Sequence, residues 1–246
     1  MPHKVLGVIP ARFASSRFPG KALAAIAGKP MIQHVWERAS QAGSFSKIII
    51  ATDDERIAAA AKRFGAEVRM TRTNHASGTD RSAEVAASED AGFVVNIQGD
   101  EPLIDPTAID AAVHGLAGAL GTPMSTLKKR IEDPSELSNP NVVKVVTDLS
   151  GHAIYFSRSV LPYVRGEQTP HYKHVGLYVY RRDFLLGYSL MPPGPLEQAE
   201  RLEQLRALEN GYRILVVETE YDSLGVDTPE DLERVSKVVE AKLAMS

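Results

Sequence analysis

Apolar strands that alternate with helices constrain the fold of this chain more than any other feature. Almost wholly apolar runs lie at residues 5–9, 47–52 and 93–97, and a shorter strand is predicted at 67–70. The helical patterns lie between and after them, at about residues 31–42, 54–64, 80–89 and 106–117. Strands that are apolar on both faces belong to parallel sheets covered by helices on each side. The sequence therefore predicts an α/β fold with a mainly parallel, Rossmann-like sheet.

The pattern changes in the second half of the chain. Strands are predicted at 124–127, 142–147, 153–157 and 175–180, with turn-rich segments rather than long helices between them. This favours antiparallel pairing in a smaller lobe, at about residues 124–195, inserted into a single domain that spans residues 1–246. The remaining patterns are a helix at about 195–209, ended by Asn210 and Gly211, a strand at 213–218 and a final helix from Pro229.

Composition excludes several classes of protein. The 246 residues include no Cys, so disulfides, thiolate metal sites and Cys nucleophiles are excluded. The net charge of -3 argues against nucleic acid or an anionic membrane as a partner. No basic-then-apolar leader precedes the first strand, and no apolar run reaches the ~18 residues of a membrane span. We expect a cytoplasmic protein.

Positive charge is concentrated in the loop that follows the first strand. The first 36 residues hold five of the 28 Lys and Arg residues and none of the 31 Asp and Glu residues. Arg12, Arg17 and Lys21 belong to this loop, at the carboxyl end of a buried strand, where open α/β sheets bind ligands. The loop matches neither GxxxxGK[ST] nor GxGxxG, which disfavours P-loop NTPases and dinucleotide dehydrogenases. The pattern predicts a polyphosphate site; the alternative is a solvated basic loop.

Two carboxylates are candidates for a metal site. Asp100 lies just past the end of the third apolar strand, where the alternative is an ordinary Asp-Glu-Pro turn. Asp227 precedes a helix whose start is already supplied by Thr228 as N-cap, Pro229 at the first position and Asp231 as the capping-box acid. Its side chain is therefore available for another role, unless Asp227 is itself the N-cap. Hard oxygen ligands near a polyphosphate suggest Mg²⁺.

Cations and a metal in one crevice suit attack at the α-phosphorus of a nucleotide, where charge develops on the phosphoryl oxygens and on the departing pyrophosphate. A nucleotidyltransferase fits this pattern better than a kinase. Two other classes stay open. A nucleotide-sugar-dependent glycosyltransferase would usually carry an Asp-x-Asp motif, whereas the central crevice has only GDEP. A non-catalytic nucleotide-binding or regulatory protein would bind its nucleotide without turnover.

Longer motifs resemble a known family. PARFASSRFPGKAL, SGTDR, VVNIQGDEPLI, HVGLYVYRR, PLEQAERLEQLR and GVDTPEDLERV, in this order, are similar to the 3-deoxy-manno-octulosonate cytidylyltransferases from about residue 5 to 235. The resemblance implies a fold of the nucleotide-diphospho-sugar transferase type, whose smaller lobe serves dimerisation and sugar binding. It also implies that CTP and the eight-carbon acid sugar (Kdo) give CMP-Kdo and pyrophosphate, with Mg²⁺, for lipopolysaccharide assembly by a homodimer. The sugar could instead be the 8-amino analogue or sialic acid.

The resemblance also implies residue roles. Triphosphate contacts fall on Arg12, Arg17 and Lys21, and the catalytic set is Lys21, Arg12, Asp100 and Asp227, of which the two acids hold the metal. Further CTP contacts fall on Arg72, Ser77, Gly78, Thr79 and Gln98. Sugar contacts fall on Gln98, Arg158, His174, Tyr178, Glu203 and Gln204.

The residues alone leave structural alternatives for several of these positions. Thr79 is a candidate helix N-cap, and His174 could be a structural strand histidine. Arg158 could be a lobe or interface residue. Glu203 and Gln204 lie off the apolar stripe that the leucines of the predicted 195–209 helix form.

Overall fold

The chain forms two compact units, Met1–Asp110 with Ser223–Ser246, and Ala111–Asp222. A computed structural model describes residues 4–14 and 18–244, with side chains up to Lys242. Arg17, a predicted triphosphate ligand, lies outside the described residues. The second unit includes the region in which the sequence predicts the smaller lobe.

The first unit contains a parallel sheet covered by helices. Its elements up to the second unit are β1 (Val5–Ala11), β2 (Ala25–Ile26), β3 (Lys29–Pro30), α1 (Met31–Ala39), β4 (Lys47–Thr52), α2 (Glu55–Arg63), β5 (Glu67–Met70), α3 (Gly78–Ala87) and β6 (Phe93–Asn96). Helix α4 (Pro106–Gly118) begins in the first unit and continues into the second. The order β6-β1-β4-β5 is parallel throughout. The predicted parallel sheet is confirmed.

Burial explains why these strands are apolar. Val8 and Ile9 of β1 and Ile49 and Ile50 of β4 have no exposed surface, as expected for strands covered on both faces. The ends of β1 and β6 lie side by side, because Val8 pairs with Asn96 and the next residue of the chain donates its N–H to the Val8 carbonyl. The loops that follow both strands therefore leave the sheet at the same edge.

The second unit is mainly antiparallel. Its elements are β7 (Met124–Arg130), α5 (Ser135–Ser138), β8 (Lys144–Thr147), β9 (Ala153–Ser157), β10 (Tyr172–Arg181), α6 (Arg182–Tyr188), α7 (Pro195–Glu200), α8 (Leu205–Glu209) and β11 (Ile214–Glu218). In the order β11-β7-β10-β8-β9, only β11 and β7 are parallel, so the predicted antiparallel pairing is confirmed.

The prediction of one helix over residues 195–209 is wrong. Arg201 adopts a left-handed conformation with φ 56°, which ends α7 before α8 begins. The predicted apolar stripe holds only in part, because Leu202 and Leu205 are buried whereas Leu196 is 43% exposed. Gln204, predicted to lie off the stripe, is 3% exposed, because the left-handed turn at Arg201 breaks the periodicity of a continuous helix. Helix α6 has no counterpart among the sequence predictions.

Helix α9 (Pro229–Ala244) returns the chain to the first unit. The predicted capping box is confirmed: Thr228 Oγ1 accepts from the Asp231 N–H, and Asp231 Oδ2 accepts from the Thr228 N–H. Val226, Val235 and Val239 pack into a buried apolar cluster of the same unit. Packing on both sides thus fixes the position of Asp227. Among the helices described, none combines the length and apolar character needed to cross a bilayer.

Candidate active site

A cavity of about 270 Å³ opens at the carboxyl edge of the parallel sheet in the first unit. The loops after β1, β5 and β6 and the segment before α9 form its walls. The lining residues are Pro10, Ala11, Arg12, Lys21, Ala22, His75, Ser77, Gly78, Arg81, Gln98, Gly99, Asp100 and Asp227. The cavity lies where the sequence predicts the polyphosphate site.

Lys21 is the electrostatic centre of this cavity. Gly20, with φ 74°, turns the chain into a single 3₁₀ turn that begins at Lys21. The Lys21 Nζ donates to Asp100 Oδ2 at 2.6 Å, to Asp227 Oδ1 at 3.0 Å and to the Val226 carbonyl at 3.0 Å. Its side chain is 17% exposed. The two predicted metal carboxylates therefore converge on one cationic group.

The charge state of Lys21 follows from two opposing effects. Burial alone would lower its pKa, but the Asp100 and Asp227 carboxylates outweigh that effect and raise the pKa of Lys21 above its ordinary value. Lys21 is therefore protonated at neutral pH and offsets one of the two negative charges. The group as a whole keeps an excess of one negative charge.

The same two carboxylates fit a divalent cation. Mg²⁺ in nucleotide enzymes usually takes one or two carboxylates and completes its shell with phosphate oxygens and water. Among residues 4–14 and 18–244, no group of three or more His, Cys, Asp or Glu side chains is placed to hold a metal ion. Asp100 and Asp227, both within 3.0 Å of a single ammonium group, are the donor set of this cavity.

A glycine lets the β6 loop reach the end of β1. A Cβ at position 99 would lie 2.7 Å from the Pro10 carbonyl oxygen, so any side chain there would push the loops apart. Asp100 follows directly and reaches Lys21. The close approach of two backbones thus positions the carboxylate.

Two arginines add positive charge to the cavity. Arg12 is exposed and forms no hydrogen bond or ion pair with any residue that the structure describes. Arg81 is 3% exposed and donates to Thr71 Oγ1 and, at 2.9 Å, to Asp53 Oδ2. Arg12 can therefore take a new anionic partner without losing an existing one, whereas Arg81 is held in place.

The SGTDR segment begins α3 at the cavity. Ser77 is the N-cap: its Oγ accepts from the Asp80 N–H at 3.1 Å, and Asp80 Oδ2 accepts from the Ser77 N–H. The alternative of a Thr79 cap is wrong, because Thr79 is buried and its Oγ1 accepts from Asn96 Nδ2. The helix N-terminus directs partial positive charge at the cavity.

The remaining predicted CTP contacts divide into two groups. Gln98 and Gly78 line the cavity. Arg72 lies outside the lining, and its Nε donates to Glu84 Oε2 at 3.1 Å. Its role stays a prediction.

Arg81, the last residue of the SGTDR motif, and His75 also line the cavity, although neither is among the CTP contacts named from the sequence. The sequence does contain a signal for Arg81: it lies four residues after Ser77, one turn along the predicted helix, and so falls on the same side of that helix. His75 contacts the Glu84 carboxylate, a pairing that no local pattern indicates.

In the second unit, three predicted sugar contacts lie together. The His174 and Tyr178 rings are 5.5 Å apart, and the Tyr178 hydroxyl donates to Gln204 Oε1 at 3.0 Å. Burial lowers the pKa of His174 to about 3, so the imidazole is neutral at physiological pH. Gln204 Nε2 is buried and has no hydrogen-bond partner in the described part of the chain. The group combines acceptors and a donor, as recognition of a polyol requires.

Of the other two predicted sugar contacts in this unit, Arg158 is bonded through its side chain and Glu203 through its backbone carbonyl. Arg158 donates through Nε to the Glu200 carbonyl and through Nη1 to the Pro140 carbonyl, each at 2.8 Å. The Glu203 carbonyl accepts from the Tyr188 hydroxyl at 2.6 Å. These bonds hold the segment between α7 and α8 in place.

Comparisons with known proteins agree with this geometry. Residues 6–214 match the protein family described as Cytidylyltransferase. The chain is 68% identical to the 3-deoxy-manno-octulosonate cytidylyltransferase of Solibacter usitatus, covering 99% of this chain and 97% of that protein. It is 57% identical to the protein of the same name from Geobacter metallireducens, covering 94% and 96%. A solved structure of CMP:2-keto-3-deoxy-manno-octonic acid synthetase complexed with CTP gives a TM-score of 0.93 at 45% identity, covering 97% of this chain and 99% of that one. The chain therefore belongs to the 3-deoxy-manno-octulosonate cytidylyltransferase family.

Proposed function

We propose that this chain transfers CMP from CTP to the anomeric 2-hydroxyl of Kdo, giving CMP-Kdo and pyrophosphate. The observation that carries the proposal is Lys21, held between Asp100 and Asp227 in a cavity that also presents Arg12. In the reaction, the anomeric oxygen bonds to the α-phosphorus, and the bond from that phosphorus to its bridging oxygen breaks. Pyrophosphate leaves with the electron pair, and the hydroxyl proton is released.

The cations of the β1 loop bind the triphosphate. Arg12 takes phosphate oxygens as its first ionic partners, and Arg17 is expected to join it. Lys21 lies deeper, where its ammonium group stabilises the charge that develops as pyrophosphate leaves. Such charge stabilisation and positioning supply much of the rate of phosphoryl chemistry, so no strong general base is needed.

Asp100 and Asp227 are the residues that would hold Mg²⁺. When bound, the ion neutralises negative charge on the phosphates and orients the reacting groups. A phosphate oxygen placed beside Lys21 competes with the two carboxylates for the hydrogen bonds that the ammonium group donates. The carboxylates are thereby released for a cation of higher charge.

The remaining contacts determine which base and which sugar are bound. Ser77, Gly78 and Gln98, which line the cavity, contact the nucleotide, and Thr79 and Arg72 contribute from outside the cavity lining. Gln98 also contacts the sugar. The other sugar contacts are Arg158, His174, Tyr178, Glu203 and Gln204, among which Arg158 is the candidate partner of the sugar carboxylate.

The proposed setting is a cytoplasmic homodimer that activates Kdo for lipopolysaccharide assembly. Leu149, Ile154 and Tyr163, large apolar side chains that the second unit exposes, are the candidate contacts of such a dimer. Sedimentation over a range of protein concentrations tests the dimer. A monomer at every concentration would reject it.

Pyrophosphate release tests the reaction itself. The assay supplies CTP and Mg²⁺ with Kdo, its 8-amino analogue, sialic acid or no sugar, and EDTA serves as the metal control. Release that requires Kdo and is abolished by EDTA supports the proposal. Faster release with another acid sugar would change the substrate, and no release with any acid sugar would reject cytidylyl transfer.

A further inference from the structure

A bulge in β10 places Thr126 opposite three residues at once. Leu127 pairs with Val175 and Ser125 pairs with Val179, so Thr126 alone faces residues 176–178. Bulges of this kind interrupt the ladder and redirect side chains, often beside functional sites. Where the ladder is interrupted, carbonyl groups need a donor other than the backbone N–H groups of the neighbouring strand.

The Thr126 hydroxyl supplies that donor. Its Oγ1 lies 2.8 Å from the Leu177 carbonyl and 3.1 Å from the Val175 carbonyl, in donor geometry. The same oxygen lies 2.8 Å from His174 Nε2. Three polar atoms of β10 therefore meet one fully buried hydroxyl group.

Counting protons fixes the tautomer of His174. A hydroxyl group has one proton to donate and two lone pairs that accept, and a carbonyl oxygen only accepts. If Nε2 carried no proton, three acceptors would compete for the single proton of Thr126. If Nε2 carries the proton, Thr126 accepts from His174, and only the Leu177 and Val175 carbonyl groups share the hydroxyl proton. The arrangement therefore selects the Nε2–H form.

We propose that Thr126 is a positioning residue that holds His174 as the Nε2–H tautomer, so that Nδ1 accepts a hydrogen bond from a hydroxyl group of the acid sugar. The sugar contact rests on the proposed function; the tautomer does not. Nδ1 has no hydrogen-bond partner among the residues described, and His174 keeps part of its surface accessible.

The consequence concerns which part of the sugar His174 can recognise. A neutral imidazole with a bare Nδ1 accepts from a hydroxyl group and repels a carboxylate, which offers only lone pairs. Phe156 and Tyr178 flank the ring at 5.0 and 5.5 Å between centroids, and this enclosure disfavours a protonated, charged imidazole. The sugar carboxylate must therefore be bound by other groups.

The tautomer can be measured on the wild-type protein without substrate. Uniform ¹⁵N labelling of histidine and long-range ¹H–¹⁵N correlation spectra distinguish a protonated ring nitrogen from a bare one, and His174→Gln assigns the resonance. We expect a protonated Nε2 and a bare Nδ1 at pH 7. A protonated Nδ1 would overturn the proposal, whatever the activity of the enzyme.

Variants then test the role of Thr126. In Thr126→Val, an Nε2–H would face the valine methyl groups without an acceptor, so the Nδ1–H tautomer should gain population. KM for the sugar should rise about fivefold to tenfold, the worth of one hydrogen bond, with KM for CTP unchanged. Thr126→Ser keeps the hydroxyl group and should preserve both the tautomer and KM.

Ser125→Ala is the matched control. It removes the neighbouring buried hydroxyl group, which donates to the Ala112 carbonyl at 2.8 Å, and should leave the His174 spectrum and KM for the sugar unchanged. An unchanged tautomer in Thr126→Val, or a Ser variant that behaves like the Val variant, would reject the role of Thr126.

Titration of the wild-type protein with Kdo tests the contact itself. A shift of the Nδ1 resonance supports the hydrogen bond to the sugar. Turnover of Kdo without such a shift would reject the contact while leaving the proposed function intact. If no acid sugar is turned over but Nε2 is protonated, the proposed function fails together with the sugar contact, and only the tautomer stands.

Discussion

Lys21 joins three stretches of chain that are far apart in sequence. Asp100 lies 79 residues away and Asp227 lies 206 residues away, yet both carboxylates contact the same ammonium group. Two carboxylates this close would repel each other without a cation between them. At the residue scale, the site is therefore an acid pair whose charge is balanced by one basic group in the protein and, as proposed, by Mg²⁺ during turnover.

Neutralising either acid should abolish most of the activity. We expect Asp100→Asn and Asp227→Asn each to lower turnover roughly 100- to 1,000-fold, because a preorganised charge is lost from the site of reaction. Pyrophosphate release measures turnover, and circular dichroism checks the fold. The control is Asp90→Asn, which removes an exposed carboxylate paired with Lys4, away from the cavity lining. Near-normal turnover in either cavity variant would remove that residue from the metal site.

Lys21→Ala should lower kcat more than it changes KM for CTP. The proposed role of the ammonium group is to stabilise charge that appears only as pyrophosphate leaves, and such interactions act on kcat. Steady-state kinetics with CTP varied at saturating Kdo provide the measurement. Lys29→Ala is the control, since Lys29 pairs with Glu37 and does not line the cavity. A change confined to KM would make Lys21 a group that binds substrate and transition state equally.

His174 should reduce the stability of the protein in mild acid. Its pKa is lowered to about 3 in the fold, against about 6.5 in an unfolded chain. Between these values only the unfolded chain binds the proton, so the free energy of unfolding falls as pH decreases below 6.5. Allowing for the accessible part of the residue, we expect this site to contribute a loss of about 1–2 kcal/mol between pH 7 and pH 5.

Urea denaturation at pH 7 and pH 5 measures this loss. His174→Gln should lose less stability than the wild type over this range, because glutamine does not titrate. His114→Gln replaces an exposed histidine and should behave like the wild type. Equal losses in the wild type and His174→Gln would contradict the prediction.

At the scale of elements, the segment between α7 and α8 depends on an unusual residue. Arg201 is exposed and holds φ 56° and ψ 45°, a region that costs a residue with a Cβ roughly 1–2 kcal/mol. The buried ion pair of Arg206 with Glu197, at 2.6 and 2.8 Å, links the two helices across this turn. The strain thus serves to bring Gln204 into the interior beside Tyr178.

Glycine at this position should stabilise the protein. We expect Arg201→Gly to raise the free energy of unfolding by about 0.5–1 kcal/mol, since glycine adopts the left-handed conformation without strain. Ala199→Gly, two residues earlier in the exposed interior of α7, should instead lower it by about 1 kcal/mol. Denaturation by urea compares the two variants. A loss of stability in Arg201→Gly would mean that the arginine side chain contributes more than the strain costs.

The elements that the sequence predicts best are those set by local pattern. Fully apolar strands, the capping box of Thr228 and Asp231 and the cationic β1 loop can each be recognised within a few residues. Contacts between distant residues carry no such signal. The Lys21 bridge, the Glu84 contact of His75 and the Thr126 hydroxyl opposite the β10 bulge depend on how strands align. The sequence does not predict the break at Arg201, because the spacing of the leucines over residues 195–209 is typical of one continuous helix.

At the scale of the whole molecule, the first unit is built from two separated stretches of chain. Residues up to 110 supply the sheet, and residues from 223 return after the second unit is complete. Ile26 and Met31 from the first stretch pack with Val226 and Val235 from the last. This packing brings Asp227 to the cavity, so the last stretch provides both stability and a carboxylate of the candidate active site. A ligand that binds Asp227 together with Lys21 should tie the two stretches together.

Ligand binding and packing should therefore have separable effects on stability. At about 100 times its Kd, CTP with Mg²⁺ should stabilise the wild type by about 2.7 kcal/mol through mass action. Val235→Ala removes fully buried methyl groups and should lower the free energy of unfolding by about 1–2 kcal/mol, but it should keep the same ligand increment because it leaves Asp227 intact. Without ligand, Asp227→Asn should have a free energy of unfolding close to that of the wild type. With ligand, it should lose most of the stabilisation that the wild type gains.

Thermal unfolding of the three proteins, with CTP and either Mg²⁺ or EDTA, compares these effects. In the wild type and in Val235→Ala, EDTA should remove most of the increment, since the triphosphate then lacks the cation that Asp227 helps to hold. An increment in Asp227→Asn as large as in the wild type would show that Asp227 takes no part in binding metal and nucleotide. An increment lost in Val235→Ala but kept in Asp227→Asn would assign the coupling to the packing of α9 rather than to the carboxylate.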